Sequence, residues 1–344
     1  MIQMKSNGET MGKRVIENNS QNDFPETDQS NMSNSILLIL NPVSGQLDYE
    51  KSKKKIVAYL DQIGRTYEIR ETQGEGDAFR WTKEAVGFDL VIVGGGDGTI
   101  MEGLSGMIKN PKPIPLAQLP MGTANLLARS LAIPTKLENA LDLALEQGLV
   151  AKLDVGYLPE YDRYFAIVAG SGWDANMIQD ADREMKNKLG FFAYIVSGFR
   201  HLFDLRRSRV RIKADEKEYL FLAHTVMVIN IGEIYGTGLA IGKSVSPHDG
   251  KLDLAVAMSH TAWGFIKLLF RILFGRFTGS PDLKYLSASH LKVEAHPPLK
   301  LEIDGEPIGE TPFEVEVVPN GAHLVVSRDY IEAKELPAVP VFRE

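Results

Sequence analysis

The chain has no cysteine. Disulfides, thiolate metal centres and cysteine nucleophiles are therefore excluded, and the composition fits a reducing compartment. Basic charge is short as well: 38 Lys and Arg stand against 45 Asp and Glu, a formal net charge of -7. General nucleic-acid binding needs a basic surface, so no nucleic-acid partner is expected. The 7 histidines are scattered, without zinc-ligand spacing. Long apolar runs are missing too. The longest, Ala262 to Phe277, is broken by Lys267, Arg271 and Arg276 and is too short to span a bilayer. The polar N-terminus lacks the apolar segment of a signal peptide. Together these absences lead us to expect a cytoplasmic protein. At 344 residues the chain is long enough for two domains.

The stretch Leu90 to Thr99 organises the rest. Leu90-Val-Ile-Val93 is short, β-branched and without a polar face, the pattern of a strand buried on both sides of a parallel sheet. Gly94, Gly95, Gly96, Asp97, Gly98 and Thr99 follow, and Ile100 to Lys109 reads as a helix. Without a Cβ in the way, an anion can approach the glycine N–H groups. The free N–H groups and positive end of the helix face the same spot. Strand, turn and helix therefore predict a phosphate cradle. Asp97 is the odd member, because phosphates repel a carboxylate unless a cation or proton intervenes. It reads as a metal or network ligand, or as part of the acid–base apparatus. A plain turn with Asp97 as helix cap accounts less well for four glycines in five positions.

Residues 1–34 are polar and cannot bury enough surface to order themselves, so a flexible tail is expected. From Ser35 strands and helices alternate. Strands are expected at Ser35–Leu40, Tyr67–Glu71 and Pro115–Leu119, and helices at Lys51–Gly64, Ala78–Val86 (with Asp77 as N-cap) and Leu126–Leu131. This is the pattern of an open parallel sheet, whose ligands bind outside the C-terminal strand ends. The loops Asn41–Gly45, Thr72–Asp77, Gly94–Thr99 and Met121–Asn125 all fall at those ends. From Lys152 short strands separated by turns predict an all-β sandwich, with helical insertions at Met177–Phe203 and Ala262–Leu273. The strand segments Phe313–Val318 and Ala322–Ser327 are separate in this reading.

Six segments, in order, carry a resemblance: Asn41-Pro-Val-Ser-Gly45, Thr72 with Gly76-Asp77-Ala78, Gly95-Gly-Asp-Gly-Thr99 with Glu102, Pro120-Met-Gly-Thr-Ala-Asn125, Asp249-Gly-Lys-Leu-Asp253 and Ile303-Asp-Gly-Glu306. The chain resembles the diacylglycerol kinase catalytic family in its soluble bacterial lipid-kinase form. The Gly-Gly-Asp-Gly element is shared with NAD kinases and with sphingosine or ceramide kinases. The segments at Asp249 and Asp304 point to lipid kinases. The resemblance implies an α/β N-terminal domain with an open parallel sheet, like that of NAD and diacylglycerol kinases, at residues 35–154 plus 322–344. An all-β C-terminal sandwich domain with helical insertions, 155–321, would carry the lipid and catalytic side.

It also implies chemistry: an ATP- and Mg²⁺-dependent kinase acting on a lipid hydroxyl, with diacylglycerol giving phosphatidic acid as the leading reaction. A sphingoid base, ceramide, monoacylglycerol or phosphatidylglycerol is the alternative acceptor, and a catalytically silent lipid- or nucleotide-binding regulator is the alternative class. The nucleotide contacts carried over are Asn41, Ser44, Gly45, Thr72, Gly95, Gly96, Gly98, Thr99, Glu102, Gly122, Thr123 and Asn125. Asn125 is equally a cap for the following helix. Met101 departs from the family, which places asparagine there. The catalytic set is Asp304 as base with Glu306 as partner, and Asp97. If Ile303–Glu306 is extended, both carboxylates share one side; the bland alternative is an Asp-Gly hairpin turn. A structural Mg²⁺ would take the Asp249 carboxylate with carbonyls of Ser246 and Lys251, hard oxygen donors that suit it. Two further segments read as membrane or solvent faces. One is the aromatic, basic helix at Ala262–Phe277, the other the basic residues Lys186, Lys188, Arg200, Arg206 and Arg207. A lipid substrate at a membrane surface, peripheral membrane contact and a homodimer are the partners this reading admits.

Overall fold

The computed structural model describes residues 35–45, 48–172, 207–234, 239–240, 245–259, 261–273 and 280–342. The N-terminal tail, the insertion at Met177–Phe203 and Lys186, Lys188, Arg200, Arg206, Phe274, Arg276 and Phe277 lie outside them.

In chain order the first half contains β1 (Ser35–Leu40), α1 (Tyr49–Gln62), β2 (Thr66–Glu71), α2 (Asp77–Lys83), β3 (Leu90–Gly95), α3 (Asp97–Ile108), β4 (Leu116–Pro120), α4 (Leu126–Ser130) and α5 (Leu137–Asp142). A π-helical turn, Leu143–Gln147, continues α5. Then come β5 (Leu149–Leu158), β6 (Arg163–Phe165), β7 (Val168–Gly172), β8 (Ser208–Ala214), β9 (Lys217–Ala223), β10 (Thr225–Ile229), β11 (Glu233–Ile234), β12 (Leu239–Ala240) and β13 (Leu252–Ala257). The last part holds α6 (Ala262–Leu273), β14 (Leu283–Ala288), β15 (His290–His296), β16 (Lys300–Ile303), β17 (Glu306–Glu310), β18 (Phe313–Val326), α7 (Arg328–Lys334) and β19 (Ala338–Pro340).

The apolar runs explain the first half. Strands β2-β1-β3-β4 are parallel neighbours. Ile36, Leu38 and Leu40 of β1 pack with Ile56 and Leu60 of α1, while Leu37 and Ile39 pack with Leu104 and Met107 of α3. Both faces of β1 are therefore buried, as a run without a polar face requires. Alternation explains the second half. Outward residues of β8 (Arg209, Arg211, Lys213) are exposed, and Val210 and Ile212 enter the core shared with Val226, Val228, Leu254 and Val256. The antiparallel sheet β14-β13-β10-β7-β16-β17 covers that core from the other side.

The two predicted strands after Phe313 are one. β18 runs from Phe313 to Val326 with a register shift between Val318 and Ala322. Its first part pairs with β15, and its end pairs in parallel with β4 at Leu324. One sheet thus runs from β2 to β9 through both halves of the chain. The bulge takes up the polar Pro319-Asn320-Gly321 within a single strand, where the pattern alone reads a break. The structure also adds α5, β11, β12, β14, β17, α7 and β19 to the predicted elements.

Candidate active site

Three glycine loops meet at the C-terminal ends of the parallel strands. Asn41 N–H donates to Gly94 O (2.9 Å), and its Nδ2 donates to Thr99 Oγ1 (2.8 Å). The Thr99 oxygen is thereby engaged as an acceptor, and its own proton is left for another acceptor. Asn41 Oδ1 accepts from Val43 N (3.0 Å), and Ser44 Oγ donates to Asn41 O (2.9 Å), which folds the turn back on itself. Gly45 has φ +70, and a Cβ there would lie 2.0 Å from Met121 O. A Cβ on Gly122 would lie 2.5 Å from the Gly96 Cα. The loops therefore pack backbone against backbone, which side chains would prevent. They surround the first turn of α3, where the N–H groups of Asp97, Gly98 and Thr99 have no intrahelical acceptor. Thr123 is exposed beside them.

Asp97 has a definite task here. Its Oδ1 accepts from Leu127 N (3.3 Å), and the N–H groups of Leu126 and Asn125 face the same carboxylate. It thus holds the start of α4 from across the loops. Burial raises its pKa, and these amides oppose the rise. Asn125 does not cap α4 through its side chain. It has φ 47, and its amide closes the loop on Gly122, Oδ1 accepting from Gly122 N (3.0 Å) and Nδ2 donating to Gly122 O (2.9 Å).

Glu102 plays the matching part for the Thr72–Asp77 loop. Its carboxylate faces the N–H groups of Gly76 and Ala78, burial pushing its pKa up and those amides pulling it down. Thr72 N–H donates to Leu40 O (2.8 Å) and fixes the end of β2. Asp77 is not the N-cap of α2: Gly76 is, in a left-handed conformation. The Asp77 carboxylate turns back to accept from Gln73 N (2.8 Å) and Gly74 N (3.2 Å) instead. The left-handed turn at Gly76 carries the cap position one residue earlier, and no side-chain pattern marks that shift.

The segment Ile303–Glu306 is a two-residue hairpin turn and not an extended strand. Ile303 pairs with Glu306, and Asp304 and Gly305 both have positive φ (45 and 91). The alternation that would align the two carboxylates therefore does not apply. Asp304 Oδ1 accepts from Ile167 N (3.0 Å) and Val168 N (2.9 Å), and Oδ2 accepts from Ala166 N (2.8 Å). Oδ2 keeps a lone pair beyond its single amide. Burial pushes the Asp304 pKa up to about 6, against the three amides and with a further push from the charge of Asp97. Glu306 turns the other way. A methyl group added at Gly98 would lie 3.1 Å from its Oε1, and its Oε2 accepts from Arg163 Nη2 (2.8 Å). The hairpin thus delivers both carboxylates to the cradle, by opposite routes.

The turn at Ser246–Lys251 stands to one side. Asp249 Oδ1 accepts from Lys251 N (3.0 Å), and Ser246 Oγ bonds His248 Nδ1 (2.9 Å). Asp154, 1% exposed, anchors the turn by accepting from Gly250 N (2.7 Å) and Asn320 N (2.7 Å). Asn230 Nδ2 donates to both Asp154 O and Ala166 O (2.8 Å each), which ties this turn to the segment holding Asp304. Burial, and then the Asp249 charge, push Asp253 up to about 6. Among the described residues no three His, Cys, Asp or Glu side chains converge as a metal cluster. A site of one carboxylate and main-chain carbonyls is a different donor set. Carboxylate and carbonyl oxygens are the donor chemistry that a hard cation takes.

The sequence reading missed the segment Arg163–Val168, which gives three amides to Asp304 and a guanidinium to Glu306. Backbone donors have no side-chain signature. Arg163 carried no motif. Asp154 and Asn230 were missed for the same reason, their work being to hold backbone.

Comparison with known proteins agrees with this geometry. Residues 35–158 match the diacylglycerol kinase catalytic domain, and residues 167–326 match the YegS C-terminal NAD kinase beta sandwich-like domain. A Bacillus subtilis protein named diacylglycerol kinase is 29% identical, over 86% of this chain and 97% of its own length. A Pectobacterium atrosepticum protein named "Probable lipid kinase YegS-like" is 30% identical, over 83% of this chain and 94% of its own. The crystal structure of a diacylglycerol kinase from Bacillus anthracis aligns with a TM-score of 0.68 at 25% identity, covering 86% of this chain and 98% of that one. A second solved structure from the same organism reaches 0.72 at 28% identity, with coverage of 86% and 98%. With its glycine cradle, its Asp-Gly-Glu hairpin and these matches along both halves, the chain belongs to the family of diacylglycerol kinase and YegS-like lipid kinases, phosphotransferases with an alcohol group as acceptor.

Proposed function

We propose that this kinase transfers the γ-phosphate of ATP to the free hydroxyl of diacylglycerol, giving phosphatidic acid and ADP. The observation that carries the reading is Asp304: a carboxylate with a pKa raised to about 6, fixed by three amides, on the same hairpin as Glu306, whose carboxylate lies beside Gly98 of the α3 cradle. At neutral pH it is ionised yet basic enough to take a proton. Asp304 accepts the proton of the lipid hydroxyl as that oxygen bonds to the γ-phosphorus. The bond from phosphorus to the β,γ-bridging oxygen breaks, and ADP leaves. Thr99, Thr123 and the N–H groups of the α3 turn position the phosphates. Asn41, Ser44, Gly45, Thr72, Gly95, Gly96, Gly122 and Asn125 shape the loops that hold the nucleotide, with Asp97 and Glu102 fixing those loops by their amide contacts.

Mg²⁺ bound with ATP neutralises phosphate charge. A second, structural Mg²⁺ would be held by the Asp249 carboxylate and the carbonyls of Ser246 and Lys251. The name diacylglycerol kinase on the Bacillus subtilis relative favours diacylglycerol, whereas the YegS-like relative is named only for a lipid.

Helix α6 supports contact with a bilayer surface. Phe265 and Leu268 enter the core, while Trp263 is 63% exposed with Lys267 over its ring. Among the described residues no helix is long and apolar enough to cross a membrane. The test of the assigned base is Asp304→Ala: lipid phosphorylation is lost while ATP binding is kept. Unchanged turnover sinks the assignment.

A further inference from the structure

The pair Arg163–Glu306 is unusual for its place. Both side chains are about half exposed (43% and 52%), so as a stabilising ion pair it contributes little. Yet it sits at the mouth of the cradle. Glu306 Oε1 lies against Gly98, in the first turn of a helix whose N-terminal end favours anions. A side-chain carboxylate therefore rests where a nucleotide phosphate is expected, and Arg163 neutralises it.

The surroundings make the arginine useful. Asp97, Asp304 and Glu306 give this place three carboxylates, and a polyphosphate brings more negative charge. A fixed cation is needed as well as any metal. Arg163 opens β6, and the same short segment continues into the amides of Ala166, Ile167 and Val168 that grip Asp304. Three residues of extended chain span about 10 Å. The guanidinium is thus tethered one short segment away from the base, on the side facing α3. Its planar fork of N–H donors matches a phosphate face as well as it matches a carboxylate.

We propose that Arg163 reads the terminal phosphate of the bound nucleoside triphosphate: its guanidinium, now on Glu306, bonds the phosphate that is transferred. On this proposal the loop amides take the β-phosphate, so a diphosphate would not engage Arg163. The proposal rests on the kinase reading, and its test is kept separate from lipid turnover.

The test is calorimetric titration of the full chain with Mg·ATP and with Mg·ADP, without lipid, for wild type, Arg163→Met and Arg163→Lys. Loss of one charge-assisted contact predicts that Arg163→Met weakens ATP binding by about 10-fold to 100-fold. ADP binding should change by less than about 3-fold. Arg163→Lys recovers part of the loss, and it covers the case in which the methionine variant does not fold. In turnover assays the same variants raise KM for ATP more than they lower kcat. Equal weakening of both nucleotides, or no change in either, overturns the proposal even if the protein phosphorylates lipid. A moved ATP-to-ADP ratio in a protein that phosphorylates no lipid overturns only the choice of acceptor. A wild-type chain that binds neither nucleotide overturns both.

Discussion

Replacing Asp304 by Asn should flatten the acid limb of the pH–rate profile. With a pKa near 6, the wild-type base is about 90% ionised at pH 7 and about 10% at pH 5, so kcat falls about tenfold between them. Asparagine cannot accept the proton, so kcat drops by about 10²- to 10⁴-fold and loses that limb. The sign for stability runs the other way. Because the folded pKa lies above the unfolded 3.8, ionisation disfavours the folded state. That penalty is absent below about pH 4 and complete above about pH 6, where two units amount to about 3 kcal/mol. The Asp304→Asn substitution removes it, at the cost of one acceptor facing the amides of Ala166, Ile167 and Val168, so the variant should remain folded near pH 7. The assay is kcat at saturating lipid in mixed micelles from pH 5 to 8, with circular dichroism for folding. Asp253 also titrates near 6, and Asp253→Asn should keep the limb. An acid limb that survives in Asp304→Asn, or a kcat within tenfold of wild type, refutes the role.

Three further outcomes follow from the same geometry. His224 is 1% exposed, bonded to Ser259 Oγ (2.7 Å), and burial, then the charge of Arg207, lowers its pKa to about 4. The unfolded chain binds that proton first. Stability should therefore fall as pH drops from about 6.5 towards 4, by up to about 3 kcal/mol, and denaturation midpoints of His224→Gln should lose most of this slope. Asn41→Ala removes the bond to Thr99 and should raise KM for ATP by about 5- to 10-fold with kcat nearly kept, since one such bond is worth about 1 kcal/mol. Gly122→Ala puts a methyl 2.5 Å from the Gly96 backbone, so the loops must part; nucleotide binding should be lost and stability should fall by about 1–3 kcal/mol, read by thermal shift with and without ATP.

Much of the cradle was legible because it depends on residues with narrow physical uses. A run such as Leu90–Val93 can only be buried, and Gly45, Gly95 and Gly122 stand where a Cβ would collide. The hairpin at Asp304 was legible only as a choice between turn and extended strand, because Asp-Gly serves both, and the positive φ decides it. Asp97 was visible as an out-of-place carboxylate, and Glu102 only through the family resemblance. Their targets were not, since a backbone N–H at Leu127 or Ala78 looks like any other in sequence. The same holds for the amides at Ala166–Val168 and for Asp154, whose partners are 96 and 166 residues away. The single long β18 escaped the reading because its bulge resembles the turns that really do separate strands elsewhere.

Whether this chain phosphorylates a lipid hydroxyl is decided by following the labelled γ-phosphate of ATP, with Mg²⁺, into a panel of lipids in mixed micelles. The panel is diacylglycerol, monoacylglycerol, ceramide, a sphingoid base and phosphatidylglycerol, with NAD as control. We expect label on a lipid hydroxyl, foremost as phosphatidic acid, and none in Asp304→Ala. Label on NAD alone, or on no lipid while ATP still binds, contradicts the lipid-kinase assignment.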